Sequence, residues 1–93
     1  GQLSRLCKDL SVTEKEVAYI GDGLVDIPVM ERVGVSFTVP DAQQRVKDAA
    51  DHITTKPGGR GAFREVVDII LKEKGIFDMV YAKMQKEIYK SGA

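Results

Sequence analysis

The chain predicts an α/β fold: a Rossmann-like parallel sheet in a three-layer arrangement. Three observations lead there. Short apolar runs alternate with segments of helical periodicity. The runs Val17–Ile20 and 35–39 lack polar alternation, as suits strands buried on both faces. The first run stops at Gly21-Asp22, a carboxylate at the kind of strand end where α/β sheets gather ligands. Strands alternating with helices imply parallel pairing and right-handed crossovers.

Each element has its own warrant. Leu3, Leu6, Cys7 and Leu10 recur at i, i+3, i+4 and i+7, the stripe of an amphipathic helix whose tail opens the chain. Residues 11–15 are polar and turn-like, and Val17–Ile20 is the first strand. Residues 27–33 read as a short helix, with Pro28 in its first turn, where no donor is missed, and Gly34 closing it. Residues 35–39 are a second strand, rich in β-branched side chains. Pro40-Asp41 opens a third helix with Ala42, Val46, Ala49 and Ala50 on its apolar side. Residues 52–55 form a short third strand, and 56–61 a loop dominated by glycine. Phe63, Val66, Val67, Ile70 and Leu71 are the stripe of a strong helix. After a candidate hinge at Lys74-Gly75, the spacing of Phe77, Val80, Tyr81, Met84 and Ile88 predicts a helical tail over 76–90. Its apolar side can pack on its own core or on a neighbouring subunit. Three strands are few for a doubly wound domain, and no strand precedes the first helix. The 93 residues therefore read as a single partial domain, the C-terminal half of a larger core.

Composition narrows the function. Fourteen basic residues balance fourteen acidic ones, which argues against a nucleic-acid partner. No apolar run approaches the roughly 18 residues of a membrane span. No signal peptide is visible, and a lone cysteine forms no internal disulfide, so a cytoplasmic setting is expected.

Asp22 is the leading candidate for chemistry. A short carboxylate after glycine at a strand's end can reach a hard cation such as Mg²⁺, which takes oxygen ligands and keeps several waters. The bland alternative is a Gly-Asp-Gly turn. Asp26, four residues on, either joins that cation or its waters, or caps the helix that starts at Ile27-Pro28. Gly58-Gly59-Arg60-Gly61 precedes a helix, where free N–H groups and the dipole suit an anion and Arg60 adds a bidentate donor; a solvated connector fits equally. His52, beside Asp51, reads as structural, and Cys7 as a small core residue.

Residues 17–30, Val-Ala-Tyr-Ile-Gly-Asp-Gly-Leu-Val-Asp-Ile-Pro-Val-Met, resemble the fourth motif of the haloacid dehalogenase-type phosphatases. Further similarities follow in order: Arg32-Val33-Gly34-Val35-Ser36, Pro40-Asp41-Ala42, Ala50-Asp51-His52, then Gly58-Gly59-Arg60-Gly61-Ala62-Phe63-Arg64-Glu65. Even Gly75-Ile76-Phe77-Asp78 is similar to the tail of some members. The set looks most like the branch acting on 3-deoxy-D-manno-octulosonate 8-phosphate. The resemblance implies a haloacid dehalogenase-like fold and Mg²⁺-dependent hydrolysis of a phosphorylated sugar acid, as in lipopolysaccharide biosynthesis. It also implies Asp22 as a metal ligand, with Asp26 and Gly23 in the layer behind it, and Gly59, Arg60 and Gly61 near the substrate. It implies a homotetramer in which neighbouring subunits cap each site. Two departures stand out. The nucleophile motif Asp-x-Asp-Gly is absent, so no catalytic residue is assigned on this chain and it should not hydrolyse phosphate esters alone. Gly23 stands where such phosphatases commonly carry a second aspartate. Both departures also suit an alternative: a non-catalytic oligomerisation module like the phosphatase-like domains of some acylneuraminate cytidylyltransferases. A generic nucleotide-binding fragment ranks last, because Gly-x-Gly-x-x-Gly is missing.

Overall fold

The computed structural model describes residues 2–72, 77–84 and 87–90. Among them lie four α-helices, α1 (Gln2–Asp9), α2 (Ile27–Met30), α3 (Gln44–Ala49) and α4 (Arg60–Lys72), and five strands, β1 (Val17–Ile20), β2 (Val35–Thr38), β3 (His52–Ile53), β4 (Met79–Ala82) and β5 (Glu87–Lys90). The strands form one sheet in the order β3-β2-β1-β4-β5. β1 is central and parallel to both neighbours, with Ile20 opposite Phe37 on one side and Ala82 on the other. β3 lies parallel to β2, and only β5 runs antiparallel.

Alternate side chains of β1 feed two cores, which makes the three layers. Val17 and Tyr19 pack with Leu3 and Cys7 of α1, Met30 of α2 and Val46 of α3. Ala18 and Ile20 pack with Val66, Val67 and Ile70 of α4. All four β1 side chains are buried, as the unbroken apolar run requires. Leu71 departs from the expected stripe of α4: it points outward, 52% exposed. No helix among the described residues is long and apolar enough to cross a membrane.

Three expectations are corrected. The predicted helical tail is instead the β4–β5 hairpin. Met79 and Tyr81 enter one core while Val80 and Ala82 enter the other, so Met-Val-Tyr-Ala is an apolar segment buried on both faces. Such a run fits helix and strand spacing alike, and the main-chain groups along the open side of β1 decide for strand. The tail thus packs on its own sheet; the hinge expected at Lys74-Gly75 lies outside the described residues. The second correction concerns Gly34. It does not close a helix over 27–33, since α2 ends at Met30. Its N–H donates to the Val17 carbonyl at 3.1 Å, and a Cβ there would collide with the Lys15 carbonyl and the Phe77 ring. Similarly, Pro40-Asp41 forms a turn closed by the Ala42 N–H on the Val39 carbonyl, and helix α3 begins only at Gln44.

Candidate functional site

The end of β1 is fixed from both sides. The Gly21 N–H donates to the Phe37 carbonyl (3.1 Å), and the Thr38 hydroxyl donates back to the Gly21 carbonyl (2.7 Å). From the other neighbour, the Lys83 N–H donates to the Ile20 carbonyl (3.0 Å). Gly21 cannot carry a side chain: a Cβ there would stand 2.6 Å from the Asp26 Cβ and 2.7 Å from its carboxyl carbon. Asp22 follows at once, exposed at the carboxyl edge of the central strand.

Asp26 has a different environment. It is 3% exposed, and its carboxylate accepts three hydrogen bonds. One oxygen takes the Asp22 N–H (3.1 Å) and the Gly23 N–H (3.0 Å), and the other takes the Tyr19 hydroxyl (2.8 Å). It makes no side-chain bond to the N-terminus of α2, so the expected capping of that helix does not occur. Instead it reaches back over the 3₁₀ turn Leu24–Asp26 and draws the preceding loop shut. Burial, reinforced by the bond to Asp26, pushes the Tyr19 hydroxyl far above its ordinary pKa, so Tyr19 stays a donor. The arrangement of Asp22 therefore depends on a brace of Tyr19, Gly21 and Asp26 beneath it. Gly23 has extended backbone, and the nearest atom to an added Cβ is 3.6 Å away, so the position has room for a side chain.

The glycine-rich loop reaches the same edge. A Cβ on Gly58 would stand 3.8 Å from the Met84 sulfur, in the turn just past β4. Gly59 has φ 114°, a conformation glycine adopts without strain, and its carbonyl accepts the Phe63 N–H as α4 begins. Arg60, with its side chain 83% exposed, pairs with Glu87 of β5 at 2.7 Å. That bond turns it toward the hairpin; the structure records no bond from Arg60 to Asp22 or Asp26.

Two supporting carboxylates escaped the sequence reading. Glu65 accepts the N–H groups of Thr55 (2.7 Å) and Lys56 (2.9 Å), anchoring the strand-to-loop passage. Partial burial works to raise its pKa, but these backbone bonds outweigh it and hold the carboxyl below the ordinary glutamate value. Asp51 accepts the Ser36 N–H (2.9 Å) and tethers β2 to the start of β3. An acidic residue beside a short strand or in the second turn of a helix after a glycine loop is the only available signal for either. His52 stacks on Phe37 with centroids 5.3 Å apart, which suits its structural reading.

A cavity of about 930 Å³ lies elsewhere. It runs between α4 and the β2–β3 side of the sheet, lined by Phe37, His52, Glu65 and Ile70 among others, and includes neither Asp22 nor the glycine loop. Among the described residues, no group of three His, Cys, Asp or Glu side chains comes together to hold a metal. Asp22 thus fits a divalent cation as one oxygen ligand of a set that needs others, a partial fit compatible with Mg²⁺ bound mainly by substrate and water.

The mainly parallel sheet, the braced carboxylate at the end of its central strand and the glycine-rich segment beside it define a Rossmann-like α/β scaffold. Residues 2–66 match the haloacid dehalogenase-like hydrolase family, and the chain belongs to it. Within that family it is similar to 3-deoxy-D-manno-octulosonate 8-phosphate phosphatases. The Haemophilus influenzae protein is 47% identical over 76 residues, which are 78% of this chain and 42% of the relative. The Escherichia coli K12 protein is 47% identical over 75 residues, 81% of this chain and 40% of the relative. Among solved structures, the cobalt-bound Haemophilus influenzae phosphatase superposes with a TM-score of 0.73 at 47% identity, covering 77% of this chain and 42% of that one. The Moraxella catarrhalis phosphatase, in complex with magnesium, phosphate and KDO, gives 0.73 at 40% identity, covering 83% and 44%. The chain therefore spans about two-fifths of the length of the curated relatives it matches.

Proposed function

We propose that these residues are the C-terminal portion of a divalent-metal-dependent phosphatase. Its substrate is a phosphorylated sugar acid of the 3-deoxy-D-manno-octulosonate 8-phosphate type. One observation carries the reading: Asp22 stands exposed at the carboxyl end of the central parallel strand, inside a segment 47% identical to phosphatases of that specificity. In this reading Asp22 gives one oxygen to Mg²⁺, and the cation offsets charge on the transferring phosphoryl group. Asp26 holds the loop that aims Asp22. The loop Gly59-Arg60-Gly61 lies toward the substrate entrance, which requires Arg60 to exchange its Glu87 partner for substrate. The nucleophile comes from outside the chain, because no Asp-x-Asp-Gly is present. Homotetramer assembly, with neighbouring subunits closing each site in the cytoplasm, belongs to the same proposal. An oligomerisation module draws no support from the phosphatase relatives described above.

The test is a chimera in which residues 2–66 replace the matching segment of the Haemophilus influenzae relative. The expected result is Mg²⁺-dependent phosphate release from 3-deoxy-D-manno-octulosonate 8-phosphate that falls at least about a hundredfold in Asp22→Asn. A folded chimera whose activity ignores that substitution overturns the assignment of Asp22.

A further inference from the structure

Asp22 takes no orientation from its own side chain. It is exposed, and the hydrogen bond described for it comes from its N–H, not its carboxylate. It also stands between Gly21 and Gly23, neither of which has a side chain to restrict the backbone. Whatever aims the carboxylate therefore acts through the main chain.

That main chain is gripped at one peptide unit. Its carbonyl, that of Gly21, accepts the Thr38 hydroxyl at 2.7 Å. Its N–H, that of Asp22, donates to the Asp26 carboxylate at 3.1 Å. Among the described residues neither group has a main-chain partner, because β1 ends at Ile20 and the Gly21 N–H on the Phe37 carbonyl is the last rung toward β2. Two buried side chains take over where the ladder stops, Thr38 from β2 and Asp26 from the 3₁₀ turn after the loop. A peptide unit held at both ends cannot rotate without leaving one of its polar groups unpaired.

Thr38 is itself well fixed. Its carbonyl accepts the Thr54 N–H at 2.8 Å, and it lies opposite Ile53 of β3. Its β-branched side chain is stiff at χ1, so the hydroxyl has a set direction. Valine has nearly the same shape and would bury without a polar group to satisfy. What threonine adds at this position is the one bond to the Gly21 carbonyl.

We propose that Thr38 is a positioning residue for Asp22. Its hydroxyl and the Asp26 carboxylate hold opposite ends of the Gly21–Asp22 peptide unit, and so keep the Asp22 carboxylate in one orientation toward a divalent cation. The proposal rests on the phosphatase reading above. Losing a partner that orients a metal ligand lowers metal affinity about ten- to a hundredfold. Thr38 acts one peptide away from the carboxylate, which puts its effect at the lower end, about tenfold.

The experiment uses the chimera described above, with Mn²⁺ as the probe and no substrate present. Free Mn²⁺ is read by electron paramagnetic resonance for wild type, Thr38→Val and Thr38→Ser. The dissociation constant should rise about tenfold in Thr38→Val and return to within about twofold of wild type in Thr38→Ser, which keeps the hydroxyl. Thr38→Ala removes the hydroxyl without a methyl beside the carbonyl, and replaces Thr38→Val if that variant does not fold. With substrate, the Mg²⁺ concentration at half-maximal rate should shift alike, while the rate at saturating Mg²⁺ stays within about twofold. In the full 93-residue chain, Thr38→Val should speed exchange of the Asp22 amide at least about fivefold and leave the Gly21 amide protected.

Three results overturn the proposal. One is an unchanged Mn²⁺ affinity in a folded variant that lacks the hydroxyl. Another is a loss that Thr38→Ser does not restore. The third is faster exchange of the Gly21 and Asp22 amides together, which marks a strand end come apart and not a freed peptide. The phosphatase reading fails separately: a chimera that binds Mn²⁺ but releases no phosphate sinks that reading, while the affinities of the Thr38 variants still decide this one.

Discussion

Replacing Asp26 tests the brace under the site most directly. Its carboxylate accepts from the Tyr19 hydroxyl and from the Asp22 and Gly23 N–H groups at 2.8–3.1 Å, and the residue is 3% exposed. Hydrogen bonds to a charged group contribute about 1.5–3 kcal/mol each, and a buried donor left alone costs about 1–3 kcal/mol. The three bonds share one side chain, so their losses do not add; Asp26→Ala is expected to cost about 3–5 kcal/mol, the range for breaking a buried charged network. A chain of this size has a total stability of about 5–14 kcal/mol, so the loss is a large share. The midpoint should fall by more than about 10 °C, at about 4–8 °C per kcal/mol for a domain of this length. Asp26→Asn keeps one oxygen for the two N–H groups and turns its amide toward the Tyr19 oxygen, which can accept; its cost should be about 1–2 kcal/mol. Urea denaturation of the three proteins, with slopes compared to confirm two-state behaviour, measures both numbers. A loss below about 1 kcal/mol for Asp26→Ala would refute the reasoning, because a buried acceptor of three bonds cannot be that dispensable.

Other predictions follow from neighbouring geometry. Gly21→Ala should destabilise by about 1–3 kcal/mol, since its methyl would press against the packed Asp26 side chain, whereas Gly23→Ala, with nothing nearer than 3.6 Å, should stay within about 0.5 kcal/mol; chemical denaturation separates the two. In the active chimera, Gly23→Asp should tighten Mg²⁺, read as a lower metal concentration at half-maximal rate, because the carboxylate adds charge where space is open. The folded Glu65 carboxyl titrates below its ordinary value of 4.5. The unfolded chain thus takes up that proton first as pH falls. The stability Glu65 contributes is complete above pH 4.5 and is lost as pH drops toward the folded pKa, so Glu65→Gln should flatten the acid limb of a stability–pH curve. Cys7, 4% exposed, has its thiol pushed up chiefly by burial and then by Glu14; a disulfide reagent at pH 8 should label it far more slowly in native than in denatured protein, and equal rates would contradict its burial.

Much of this arrangement was legible in the residues themselves. Val17–Ile20 reads as a doubly buried strand, since no charged side chain interrupts the run and glycine ends it after four residues. Asp22, directly after Gly21, had to fall at that strand's end. The loop expected over 56–61 is shorter than its glycines suggest: α4 already begins at Arg60, directly after Gly59 with its positive φ. These are local matters, set by periodicity and backbone conformation within a few residues. Other features needed the folded chain. Asp26 reads in sequence as a cap for the helix that follows it, but a buried carboxylate takes whichever donors the packing brings nearest, and here those are the loop before it and Tyr19. Arg60 reads as an anion donor, yet the antiparallel return of β5 places Glu87 within 2.7 Å. The segment from Phe77 to Ile88 fits a helix by spacing, and only the main chain along one side of β1, distant in sequence, makes Met79–Ala82 a strand. Local patterning determined the parallel core and the place of Asp22; long-range hydrogen bonding decided what braces that carboxylate and what lies beside it, because donors and acceptors distant in sequence become neighbours only once the sheet has formed.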